Sequence, residues 1–97
     1  MPTYVCLTNF TDQGIHDIRQ TTQRAKSAIG AAAEFGVTFK EHYWTFGMYD
    51  TVAVVDAPGD EAVAAFVLRL SAHGNIRVQT ARAFSTEEMN GILAKIP

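Results

Sequence analysis

The side chains best suited to acid–base chemistry in this 97-residue sequence lie between residues 42 and 50. His42 stands among aromatic residues, where burial favours the neutral imidazole that acts as a general base. Tyr49 and Asp50 supply a phenol and a carboxylate for proton transfer on an enolisable ligand. The structural alternatives are a hydrogen-bonded core or interface histidine, an aspartate that caps loop amides, and a packed tyrosine ring. Because consecutive strand residues point to opposite faces, Tyr49 and Asp50 share one site only if the chain bends between them.

Four further residues are candidates for contact with a ligand. Trp44, Tyr43 and Tyr4 are aromatic residues of predicted strands, and they could line a pocket for a small apolar or aromatic molecule. Aromatic residues on strands also serve as core or as dimer interface, so this alternative stays open. Arg82 would neutralise an anionic ligand or meet an acidic residue of a neighbour.

Cofactor signatures are absent from the sequence. The three histidines (His16, His42 and His73) are too scattered to predict a metal site, and no glycine-rich loop lies between a strand and a helix. We therefore predict no nucleotide cofactor and no metal, with haem or metal ligation through His42 as a third possibility. Cys6 is the single cysteine, and we interpret it as a small buried hydrophobe rather than a nucleophile.

Composition restricts the class of protein. Ninety-seven residues form one domain, and a hydrophobic content of 47% supports a folded core. Eight basic against ten acidic residues leave no basic surface for nucleic acid. No apolar run approaches the roughly 20 residues that span a bilayer. We expect a single cytoplasmic domain over residues 1–97, without nucleic-acid or membrane partners.

Hydrophobic periodicity places these residues on alternating elements. It predicts, in chain order, a strand over 4–8, a helix over 12–35, strands over 37–46 and 51–55, a helix that ends at Gly74, a strand over 75–84 and a final helix. Thr21 and Thr22 are weak helix formers, so the first helix is allowed a break there. Gly47 is expected to adopt a positive φ in the central hairpin, and Ser85 to Glu88 form a capping box.

This order of elements predicts an α+β fold. Two right-handed β-α-β crossovers joined by a hairpin give a ferredoxin-like β-α-β-β-α-β antiparallel sheet, with both main helices on one face and a C-terminal helix added. The other sheet face would meet water in an isolated chain. Alternation puts Tyr4 and Cys6 opposite Val5 and Leu7, and it puts His42, Trp44 and Phe46 opposite Phe39, Glu41 and Tyr43, so that neither face is free of apolar groups.

An exposed apolar sheet face predicts a homodimer in which the same face of a second copy covers it. A higher oligomer is compatible with this prediction, and the terminal helix would brace the dimer or close the edge of its own chain. The length that limits the chain to one domain therefore argues for two chains per functional unit.

The chain also resembles a known family. The motif Gly47-Met48-Tyr49-Asp50, the opening Met1 to Val5, the segment Asn9 to Ile15, Tyr43-Trp44-Thr45, and Gly74 to Thr80 followed by Arg82-Ala83-Phe84 are all similar to the GYD domain family. The likeness runs in order along nearly the whole chain. It implies a ferredoxin-like protomer of the dimeric α/β-barrel type, and it implies no particular activity because fold alone does not determine function.

Two hypotheses for function follow. The first is a homodimeric module, either structural or binding a small molecule, with no assigned activity. The alternative is a cofactor-independent oxygenase or isomerase that acts on a small aromatic or polyketide-like metabolite through His42, Tyr49 and Asp50, beside a pocket lined by Trp44. A cavity of a few hundred Å³ next to His42 or Tyr49 would support the enzymatic hypothesis.

Overall fold

Four strands and four helices make up the fold in a computed structural model that describes all residues from 1 to 97. The elements are β1 (Thr3–Phe10), α1 (Asp12–His16), α2 (Thr21–Ala32), β2 (Thr38–Trp44), β3 (Thr51–Asp56), α3 (Asp60–Ser71), β4 (Ile76–Ala83) and α4 (Thr86–Leu93). Short 3₁₀ turns at Ile18–Gln20 and Ala33–Phe35 flank α2. No helix is long and apolar enough to cross a membrane.

The four strands form one antiparallel sheet in the order β2-β3-β1-β4. The two central strands are the first and third in sequence, which is the order that two β-α-β crossovers around a hairpin produce. The α+β, ferredoxin-like prediction is thereby confirmed. The core lies between the sheet and its helices, and its largest fully buried side chains are Phe66 of α3 and Val55 of β3.

The first helical region breaks just before Thr21, where its weak helix formers allowed a break. Asp17 leaves helical geometry with φ −103° and ψ 36°, a 3₁₀ turn follows, and α2 begins at Thr21. The region ends at Gly36, whose φ of 71° is the left-handed conformation that glycine adopts at the end of a helix.

Residues 11–14 dock onto the turn that precedes β4. The Thr11 amide donates to the Asn75 carbonyl at 3.0 Å, and its hydroxyl donates to the Gly74 carbonyl at 2.6 Å. Gly14 packs so closely that a Cβ built on it would lie 2.1 Å from the Asn75 carbonyl oxygen. We call Thr11, Gly14, Gly74 and Asn75 the latch. It explains structurally two of the segments that carry the family resemblance.

A bulge in β2 corrects the predicted placement of Phe39. The register with β3 shifts between Phe39 and Glu41, so Lys40 is an extra residue without a partner. Phe39 therefore points to the helix-covered face together with His42 and Trp44, rather than to the opposite face with Glu41. The prediction was wrong because strict alternation cannot anticipate an inserted residue. Phe46, predicted on the same strand, lies in the following loop, fully exposed.

Candidate functional site

Small side chains on α2 and on the sheet leave a cavity of about 530 Å³ between the sheet and the helices α2 and α3. Helix α2 contributes Ala25 and Ala28 to its lining, and the central strands contribute Cys6, Thr8 and Ala53. Because these side chains are short, they do not fill the space between the two backbones as a close-packed core would. The volume is typical of sites that hold small molecules.

Aromatic residues form the β2 wall of the cavity. The His42 ring lies edge-on to Trp44 at 4.7 Å and to Phe39 at 6.1 Å between centroids. Trp44 Nε1 donates to Thr21 Oγ1 at 3.0 Å, which joins the end of β2 to the start of α2. Trp44 is still 44% exposed although it lines the cavity, so it lies at the rim. A planar ligand would find edge and face contacts here.

His42 is half-buried on this wall. Burial lowers the pKa of its imidazole below the ordinary 6.5, because a low-dielectric surrounding disfavours the charged form. At neutral pH it is therefore a neutral group with one nitrogen that donates and one that accepts a hydrogen bond. No group of three or more His, Cys, Asp or Glu side chains is clustered as a metal site would require.

The charge of the cavity lining is one-sided. Arg24 and Arg69 line it, and no aspartate or glutamate does, although the whole chain has a net charge of −2. The guanidinium of Arg24 donates to two backbone carbonyls, that of Asp17 at 2.7 Å and that of Gly14 at 3.1 Å, and to no carboxylate. Its charge is therefore available to an anionic ligand.

Cys6 lies on the cavity floor in β1. It is 7% exposed, and burial raises the pKa of its thiol, with a partly opposing contribution from the Thr80 hydroxyl at 3.9 Å. A protonated thiol is a poor nucleophile, and its role in the lining is that of a small apolar group.

Tyr49 and Asp50 lie outside the cavity lining and bind different partners. The Asp50 carboxylate accepts the Phe10 amide at 2.8 Å, while the Tyr49 hydroxyl donates to Gln79 Oε1 at 2.8 Å. Gln79 lies on the uncovered sheet face, because it alternates with Val78, which lines the cavity. Gly47 has the predicted positive φ, at 119°. The structure therefore does not bring Tyr49 and Asp50 together with His42.

The remaining ligand candidates lie away from this cavity, and two of them, Tyr4 and Arg82, line a second groove between α3 and β4. Tyr4 is 3% exposed, and its hydroxyl donates to the Asp60 carboxylate at 2.5 Å, a hydrogen bond that raises the pKa of the phenol. Arg82 stacks on the Phe84 ring at 4.6 Å and pairs with Glu88 at 3.1 Å. Tyr43 points away from the cavity and is 59% exposed. Of the four candidates, Trp44 alone lines the cavity.

Sequence reasoning missed Arg24 and Thr21 as site residues. Their positions depend on the angle at which α2 crosses the sheet, which local periodicity does not encode. One signal was present: the inward stripe of α2 carries Ala25 and Ala28 where a filled core would have larger side chains.

The family model of the GYD domain matches residues 4–93. This chain belongs to the GYD domain family. It is also 30% identical over 90 residues to a Thermus thermophilus protein named glutamine synthetase and cystathionine beta-lyase binding protein. The aligned region covers 92% of this chain and 95% of that relative. The family membership confirms the resemblance seen in the sequence.

A solved structure shares the fold. A chlorite-dismutase-like protein superposes with a TM-score of 0.54 at 16% identity, covering 96% of this chain. The GYD chain spans about half of that structure, 48% of its length. At this identity the likeness shows the ferredoxin-like fold alone.

Proposed function

We propose that this GYD protein is a homodimeric binding module whose cavity takes a small apolar or aromatic molecule that carries a carboxylate. The observation that carries the proposal is the cavity of about 530 Å³, with apolar walls and no acidic residue in its lining. Sites for small molecules combine such walls with a few placed polar groups.

Arg24 is the group that selects a carboxylate. It has five N–H donors in a fixed fork, and backbone carbonyls use two of its nitrogens without neutralising the charge. A charge-assisted hydrogen bond to a carboxylate is worth about 1.5–3 kcal/mol. The apolar part of the ligand then lies along Ala28, Ala53 and Trp44.

The fluorescence of Trp44 tests this directly, because it is the single tryptophan of the chain and lines the cavity. We expect saturable quenching or a spectral shift with 3-phenylpropionate, and binding at least about tenfold weaker with the uncharged 3-phenylpropionamide. Arg24→Gln should remove the difference between the two probes, and Arg24→Lys should retain part of it. Equal binding of acid and amide by the unaltered protein would refute the role of Arg24.

The second chain of the module covers the open sheet face. That face carries Val5, Leu7, Val52 and Val54 on its two central strands, with Tyr43 beside them. Only 12 of 97 residues are buried in one chain, which is a small core for a domain of this length. Burying the face against a second copy removes apolar surface that monomers rarely expose.

Light scattering tests the dimer. Val54→Lys places a charge at the centre of the open face and is expected to break the contact between the sheet faces, which lowers the mass measured in solution. Thr22→Lys, on the exposed side of α2, is the matched control and should leave the mass unchanged. A monomer for the unaltered protein at micromolar concentration would contradict this part of the proposal.

Proton-transfer catalysis is the alternative that the position of His42 favours. Its neutral imidazole faces the cavity, so it would take a proton from an enolisable carbon; an isomerase would then return that proton to a neighbouring atom, and a cofactor-independent oxygenase would let the resulting carbanion react with O₂. Phenylpyruvate in D₂O is a probe for this step. Exchange at its C3 faster than in buffer, lost in His42→Gln, would support catalysis, and exchange at the buffer rate would exclude it for this probe.

A protein partner is the candidate that the relative from Thermus thermophilus favours, since that protein is named for binding two enzymes and matches over nearly its full length. Glutamine synthetase from the same source as this chain is the partner to test by biolayer interferometry. Saturable binding at micromolar concentration would support a protein-binding module, and no response at ten times that concentration would remove this candidate.

A further inference from the structure

The C-terminal helix α4 stands away from the rest of the chain. None of its residues is buried, and an apolar stripe of Met89, Ile92, Leu93 and Ile96 follows the spacing of one helical face. Leu93 and Ile96 are 52% and 65% exposed. The molecule measures 52 × 31 × 18 Å, with a radius of gyration of 14.7 Å where about 13 Å is usual for its length.

The helix is nevertheless well formed. Ser85 and Glu88 make a complete capping box, and Glu88 pairs with Arg82 at 3.1 Å. A capped amphipathic helix of only eight residues is marginal by itself, because most helical stability comes from packing its apolar face. The sequence therefore provides a stable helix start and an apolar stripe that one chain leaves uncovered.

A groove of matching character lies between α3 and β4. Its volume is about 490 Å³, and its apolar walls are formed by Val63, Ala64, Val67 and Leu68 of α3 and by Val78 of β4, while Tyr4, Asp60, Thr80 and Arg82 also line it. Leu68 is 70% exposed. The groove runs along one side of α3, a 12-residue helix about 18 Å long, and the stretch from 86 to 96 would be about 16 Å long.

Charges decide the direction in which α4 would lie in such a groove. The first turn of α3 is acidic, with Asp60 and Glu61, and its last turn carries Arg69. The first turn of α4 is also acidic, with Glu87 and Glu88, and Lys95 follows its end. An antiparallel arrangement places each acidic first turn beside a basic residue of the other helix, and it also opposes the two helix dipoles.

A chain cannot make this antiparallel arrangement with its own groove. Arg82 at the end of β4 pairs with Tyr4, and the Tyr4 hydroxyl binds Asp60 at the start of α3. If α4 folded back from the end of β4 over its own groove, it would run in the same direction as α3. Its acidic first turn would then meet Asp60 and Glu61, with Arg82 as the one cation of the groove lining to offset these like charges. Lys95 would lie beside Arg69.

From this geometry we infer that α4 of one chain docks antiparallel into the α3/β4 groove of a second copy, and that the exchange is reciprocal. The docked helix buries the apolar stripe of α4 and Leu68 of the receiving chain. It adds an interface between copies that does not use the open sheet face, so the two contacts are broken by different substitutions.

Disulfide trapping tests the exchange. A chain with Leu68→Cys mixed with a chain with Ile92→Cys should give a mixed disulfide dimer under mild oxidation, while native Cys6 is buried and does not react. Ala65→Cys, on α3 outside the groove lining, replaces Leu68→Cys in the matched control and should give little dimer. Absence of the mixed dimer at about 50 µM protein would overturn the inference.

The double variant Leu68→Cys/Ile92→Cys separates exchange from folding back. Exchange predicts disulfide-linked dimers of this chain on a non-reducing gel, and a band that stays at the mass of one chain would show that α4 docks on its own groove and overturn the inference. Val54→Lys should leave the trapping unchanged, so failure of the sheet-face dimer and failure of the exchange are distinguishable.

Discussion

The latch and the cavity differ most in how closely the elements of this chain pack. At the latch, Thr11 and Gly14 press backbone against backbone at the 74–75 turn, and there is no room for one added carbon atom. At the cavity, Ala25 and Ala28 face the sheet and leave about 530 Å³ between the elements. Much of the sequence that resembles the family lies at the latch and in the central hairpin. The side chains able to do chemistry line the cavity instead.

The residues that identify a family can therefore be ones that the fold needs rather than ones that the function needs. Gly47 provides a positive φ, Asp50 caps a backbone amide and Gly14 permits close approach. None of these three needs a ligand to explain it. Substitutions at the latch and hairpin should therefore change stability and leave ligand binding by the folded protein intact, whereas substitutions at the cavity should do the reverse.

Gly14→Ala is expected to have the largest effect. Its Cβ would lie 2.1 Å from the Asn75 carbonyl oxygen, so the latch must open or α1 must shift. We expect a loss of about 3 kcal/mol or more in the free energy of unfolding and a fall in Tm of more than about 10 °C, measured by thermal and urea denaturation. Gly30→Ala, with nothing within 4 Å of its Cβ on α2, is the control and should stabilise by up to about 1 kcal/mol. Similar behaviour of the two variants would refute the latch.

Asp50→Ala should have the next largest effect. The Phe10 amide loses its acceptor at 2.8 Å, and an unpaired donor in a partly buried position costs about 1–2 kcal/mol. Urea denaturation measures the change. Asp17→Ala, at an exposed carboxylate without a partner, should cost less than about 0.5 kcal/mol. A change in phenylpropionate affinity of the folded Asp50 variant would instead indicate a role in binding.

The pH dependence of stability should report the burial of His42. Because burial lowers its pKa in the folded state, the unfolded chain takes up a proton first as the pH falls below about 6.5, and the folded state loses stability from there down to the folded pKa. His42→Gln should make the free energy of unfolding less dependent on pH between 7 and 5. An unchanged slope in His42→Gln would contradict the burial of this imidazole.

Tyr49→Phe should have the smallest effect. It removes an exposed hydrogen bond to Gln79 at 2.8 Å, which is worth about 0.5 kcal/mol. In a Gln79→Ala background the same substitution should not change the free energy of unfolding further, because the Tyr49 hydroxyl would contribute only through its bond to Gln79. If this variant lost a catalysed exchange at C3 of phenylpyruvate, Tyr49 would have a role in catalysis.

Much of the fold was predictable because the chain's local signals agree with it. The positive φ of Gly47 and the capping box at Ser85 follow from rules that need only neighbouring residues, while the same rules only allowed the break before Thr21. Phe39 was misplaced because one inserted residue reverses every side chain on one side of it. The cavity could not be derived, since it arises where two small-residue surfaces meet, and their meeting is set by the whole sheet.

The most direct test of the central claim is a titration of Trp44 fluorescence with 3-phenylpropionate in Ala28→Phe and Thr22→Phe. The first fills the cavity from α2 and the second adds the same ring on the exposed side of that helix. Ala28→Phe should weaken binding of 3-phenylpropionate more than about tenfold, and Thr22→Phe should bind it as the unaltered chain does. Unchanged binding in Ala28→Phe would show that the cavity between α2 and the sheet is not the ligand site.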